Sequence, residues 1–140
     1  QREGWRHGVA HGSDLMLQLT LNPAFGKPEL TRIRAAVASQ LAPADHFYVY
    51  GENLRLAQPI LYMARRGLFS EAEWTAWFTE ISGPGPLGTW DGAFNSQTAL
   101  TRRHNLVGFV TAVYALADSS SSADFAILVP GAQAALAALP

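Results

Sequence analysis

Apolar residues in this chain return every three to four positions, and no stretch of four or more alternates apolar with polar side chains between hairpin turns. A period near 3.6 is that of a helix with one buried face, so the pattern points to an all-α fold. Its interruptions divide the chain into six helices. The first covers about residues 5–21 and stops ahead of Asn22-Pro23, because the residue before a proline avoids the α region. The second begins at Pro28, a favoured first-turn residue, and sets Leu30, Ile33, Val37 and Leu41 along one stripe. Residues 42–51 read as loop with a short extended piece at 47–50. A third helix over about 52–66 contains Pro59, which should kink it, and ends at Gly67, a natural left-handed cap. Ser70 and Glu73 form a capping box for the fourth helix, whose Trp74, Trp77, Phe78 and Ile81 share a face. The four glycines and two prolines within 83–95 exclude regular structure there. The fifth helix spans about 96–117. Ser119 to Ser122 make a flexible connector, and Ser121 with Asp124 caps a sixth helix that Pro130 bends or breaks.

Helical pairs begin near Trp5, Glu52 and Ser96, a spacing of about 45 residues that falls in the range of two-helix solenoid repeats. The expected architecture is three stacked antiparallel helix pairs, as in a HEAT-like α-solenoid fragment; a compact six-helix bundle is the alternative. At 100° per residue the odd-numbered helices each show a narrow polar row between two apolar flanks. The rows are His7, His11, Asp14 and Gln18; Glu52, Arg55, Tyr62 and Arg66; and Gln97, Thr101, His104, Gly108 and Thr111. Helices two and four carry a single apolar stripe, as outer-layer helices do. The odd helices should then form an inner layer whose polar rows line a groove.

With 140 residues, 49% of them hydrophobic, the chain can bury one core and reads as a single domain over 1–140. A formal charge of -1, with the arginines scattered, gives no basic stripe, so neither nucleic acid nor an anionic membrane is an expected partner. The longest uncharged stretch, 125–140, is shorter than a bilayer span and holds Pro130 and Gly131. The absence of cysteine excludes disulfides, thiolate zinc sites and thiol catalysis, without fixing a compartment. No motif calls for a cofactor.

His7, His11 and Asp14, at i, i+4 and i+7, are the sharpest constellation. Imidazole and carboxylate on successive turns can converge on one ligand or on a divalent ion completed by His104 or Glu52. The structural reading is a network in which Asp14 accepts a hydrogen bond from His11 and fixes its tautomer. Gly8 stands where metalloprotease helices place a glutamate, so no metal is assigned. Glu52 and Arg55, at i and i+3, suit an intrahelical ion pair, and Arg65-Arg66 suits the negative end of its helix. Trp90 is a candidate exposed binding element, whereas Ser13 and Ser70 lack a base and an oxyanion partner. The candidate ligand-binding set is His7, His11, Asp14, Glu52, Arg55 and His104.

The segment from Gly4 to Leu15 resembles the W-x-H-x-x-A-H-G-x-D-L motif of the domain of unknown function 2785. Glu52-Asn53-Leu54-Arg55-Leu56-Ala57, Arg65-Arg66-Gly67-Leu68, Trp74-Thr75-Ala76-Trp77 and Arg103-His104-Asn105-Leu106 are similar to later parts of that family, although Asn53 stands where an acidic residue is expected. The resemblance implies a bacterial, mainly helical protein without an established activity, of which this chain is the later part. It marks Trp5, His7, His11, Gly12 and Asp14 as motif residues. The expected function is a non-enzymatic helical-repeat module offering a polar groove to a peptide, protein or small ligand; the alternative is a metal-assisted hydrolase centred on His7, His11 and Asp14.

Overall fold

The computed structural model describes residues 8–43 and 46–140, and these contain helices and no strand. The helices are α1 (Gly8–Leu21), α2 (Lys27–Gln40), α3 (Glu52–Arg65), α4 (Glu71–Ile81), α5 (Gln97–Asp118), α6 (Ala123–Ala126) and α7 (Val129–Ala138). Two short 3-10 turns, Gly85–Leu87 and Trp90–Gly92, occupy the glycine- and proline-rich loop. The six expected segments are all present, the last divided into α6 and α7. Pro130 makes that break: lacking an N–H, it takes a place in the first turn of α7, where no helical donor is needed. Pro59 sits inside α3, which continues past it to Arg65.

Local chemistry sets the other boundaries. Ser70 Oγ accepts the Glu73 N–H at 3.3 Å, and the Glu73 carboxylate accepts the Ser70 N–H at 2.9 Å, closing the capping box. Lys27 reaches the same carboxylate at 2.7 Å and, ahead of the Ser70 N–H, holds its pKa down to about 2. Gly67, at φ +64°, supplies the left-handed residue that ends α3.

Helix α1 packs on α3, and α3 on α5, while α7 packs against both α5 and α4. α1 and α3 run parallel, because their contacts keep step along both chains: Asp14 meets Arg55, and farther on Arg66 donates to the carbonyls of Thr20 (2.7 Å), Asn22 (3.0 Å) and Phe25 (2.7 Å). Arg66 therefore does more than offset a helix dipole; it fastens the end of α3 to the loop after α1. Close approach at the α4–α7 seam depends on Gly131, where a Cβ would lie 2.7 Å from the Phe78 ring.

The core draws Leu30, Ile33 and Val37 from α2, Leu56, Ile60 and Met63 from α3, Trp74, Trp77 and Phe78 from α4, and Leu106, Phe109 and Val110 from α5. Helices α3 and α5 bury residues on both flanks, although Leu54 is exposed and Thr101, expected in the polar row, is buried. α1 does not: its buried residues are Ala10, Ser13 and Thr20, and Leu15 and Leu21 are exposed. The reason is its position: α3 packs closely along it, whereas α2 touches it more lightly and leaves an open cleft between them.

Candidate functional site

The candidate residues among those described lie in the N-terminal halves of α1, α3 and α5, each placed by different physics. On α1 the Ser13 hydroxyl turns inward and donates to the Val9 carbonyl at 2.8 Å, which leaves Asp14 and His11 toward solvent. Arg55 of α3 donates through Nη1 to both Asp14 oxygens, at 2.7 and 3.0 Å, with both side chains about half exposed. The expected His11–Asp14 hydrogen bond is not formed. A charged guanidinium attracts the carboxylate more strongly than a neutral imidazole does, and it stands directly across the helix seam. His11 is exposed and makes no hydrogen bond among the described residues. His7, like Trp5, lies outside the described residues.

Glu52 opens α3 and is only 4% exposed. Its carboxylate lies at the positive end of the helix dipole, accepts the Tyr50 N–H at 2.8 Å, and keeps its second oxygen 4.0 Å from His46 Nε2. The expected Glu52–Arg55 pair is therefore absent, since each residue has a different partner.

Residues 46–50 form a strap, free of helix and turn through 46–49. Asn105 of α5 is fully buried beneath it; its amide oxygen accepts the Tyr48 N–H at 2.9 Å and its NH2 donates to the His46 carbonyl at 2.8 Å. His104 is exposed, with Nε2 3.3 Å from the Tyr48 carbonyl and its ring 5.0 Å from that of Phe47. The Tyr48 phenol donates to the Gln40 carbonyl; burial, and secondly the Glu52 charge, push its pKa up to about 12. Asp14 and Arg55 are thus in contact, while Glu52 and His104 are joined only through the strap.

The sequence model of the family described as protein of unknown function (DUF2785) matches residues 1–115. The chain belongs to DUF2785. All six candidate residues fall inside the DUF2785 match, as do α1 to α4 and most of α5, whereas α6 and α7 lie beyond it. No curated protein and no solved structure matches the chain.

Other parts of this DUF2785 chain bear on the site by contrast. Trp90 is not an exposed binding element: it is half-buried, and its Nε1 donates to the Ser82 carbonyl at 3.2 Å. Arg34 was not visible as a special residue in sequence, yet its guanidinium lies 4.5 Å over the Phe69 ring and 5.4 and 5.9 Å from those of Trp74 and Trp77. Burial there lowers its pKa. A cleft of about 460 Å³ opens between α1 and α2, lined by Val9, Gly12, Met16 and Val37 among others and by neither His11 nor Asp14. Among the described residues no group of three His, Asp or Glu could hold a metal ion, and no helix is long and apolar enough to cross a membrane. Asn105, the residue that organises the strap, did leave a signal: a buried amide within an apolar helix face requires several partners.

Proposed function

We propose that this chain is a non-enzymatic binding module built of stacked helix pairs, presenting His7, His11, Asp14, Arg55 and His104 to a peptide, protein or small ligand. Glu52 holds the strap behind them. The observation that supports this reading best is the Asp14–Arg55 bridge across the α1–α3 seam, beside the exposed imidazole of His11. A half-exposed pair of this kind contributes about 0–1 kcal/mol to stability, which is little reason to set two charges across a helix seam. It does hold a guanidinium in a defined direction, with donors left for a carboxylate or a carbonyl.

Thermal-shift titrations against a panel of tripeptides, amino acids and carboxylic acids test this reading. A binding class should raise the melting temperature of the wild type and fail to do so in Arg55→Ala and Asp14→Asn, while each substitution alone costs about 1 kcal/mol or less. A panel without effect, or stabilisation that persists in both variants, overturns it. One equivalent of metal in protein purified without chelator, lost in His11→Ala, would favour the metal-assisted hydrolase centred on His7, His11 and Asp14.

A further inference from the structure

The strap uses only one of its two backbone edges. The Tyr48 N–H and His46 carbonyl bond to Asn105, the Tyr50 N–H bonds to Glu52, and the Tyr48 carbonyl faces His104. The bonded groups thus belong to residues 46, 48 and 50, and they are held from the protein side. Phe47 and Val49 make no backbone hydrogen bond among the described residues. This alternation is the two-residue period of an extended chain, in which successive N–H and C=O pairs point to opposite edges. Asn105 stands in for a neighbouring strand on the inner edge, offering one acceptor and one donor. The outer edge has the chemistry of an open sheet edge.

Protein sheet edges are ordinarily blunted by lysine, proline, inward charge or a covering element. Phe47, Tyr48, Val49 and Tyr50 include none of those residue types, all four favour extended backbone, and Val49 is 63% exposed. We propose that the outer edge of residues 46–50 is a strand-addition site that takes an extended peptide segment from a partner protein. The peptide's backbone pairs with the N–H and C=O groups of Phe47 and Val49, and an apolar side chain covers Val49. The requirement is for main chain in extended form, since only alternating donors and acceptors match this edge. A second copy of the chain could pair here antiparallel about Tyr48, but five residues bury far less than the roughly 1,200 Å² of a stable interface, whereas a short peptide needs no more than this edge. The site uses neither His11 nor Asp14, but it shares with the polar-face reading the residues that hold the strap from within, His104 and Glu52.

Chemical-shift mapping on the whole chain tests the proposal with a blocked Val-Thr-Val-Thr-Val peptide as probe. The amides of Phe47 and Val49 should show the largest shifts. Peptides N-methylated on successive alternate edges should divide, one edge abolishing binding and the other leaving it within about twofold. Val49→Pro removes an N–H that has no partner and fits an extended residue, so the fold should persist; binding should weaken at least tenfold. Equal binding to Val49→Pro, equal behaviour of the two methylated peptides, or shifts away from the strap would overturn the proposal. So would strap shifts that depend on protein concentration without peptide, which would assign the edge to a second copy.

Discussion

Asn105 does with one amide what a neighbouring strand does with its backbone, and it does so in a fully buried position. Its removal leaves the Tyr48 N–H and the His46 carbonyl buried or half-buried without partners. Asn105→Ala should therefore cost about 2–4 kcal/mol, one buried and one half-buried hydrogen bond at about 1–2 kcal/mol each, and should speed hydrogen exchange at Tyr48 first. Denaturant unfolding checks the first number; a cost under about 1 kcal/mol would mean that the strap is held by its side chains instead. At this scale the sequence was half legible. The helix wheel set His11 and Asp14 toward solvent, and they are. It did not supply Arg55 as the partner of Asp14, nor turn Glu52 inward. A side chain's choice between a neighbour one turn away and one on another helix depends on distances that only packing creates.

Elements were more legible than their neighbours. The fourth helix, its capping box and its aromatic stripe follow directly from sequence, because a cap and a 3.6-residue period are local facts. What the stripe packs against is not local. Trp77 has ring neighbours Trp74 at 5.9 Å, Phe78 at 5.1 Å and Phe109 of α5 at 6.2 Å, and Arg34 of α2 caps the group. Being 5% exposed, it should leave a large cavity when truncated, so Trp77→Ala is expected to cost about 3–5 kcal/mol in denaturant unfolding. A loss under about 1 kcal/mol would show that the neighbours close over the gap. The first helix departs from the pattern for the complementary reason: two apolar flanks in sequence do not bury themselves when one neighbour packs closely and the other, α2, leaves a cleft.

For the whole molecule, composition and period were enough to read an all-α fold, and length and apolar content suggested a single domain over 1–140. The DUF2785 match ends at residue 115, yet the core does not. Leu128, Ala132, Ala135 and Leu139 are buried, α7 packs on both α4 and α5, and Gly131 lies against Phe78 and Thr75. We propose that residues 1–140 form one folding unit, so that α7 is needed by helices inside the family match. Deleting residues 119–140 would remove two buried leucines from the core, forfeiting about 1.5–3 kcal/mol each, and would uncover Phe78 besides. That loss approaches the total stability of about 5–15 kcal/mol expected of a domain. A chain ending at Asp118 should therefore lose its cooperative thermal transition and the near-ultraviolet circular dichroism of the Trp74–Trp77 cluster. A transition within about 5 °C of the full chain's would instead make α7 an appendage on a domain complete at α5.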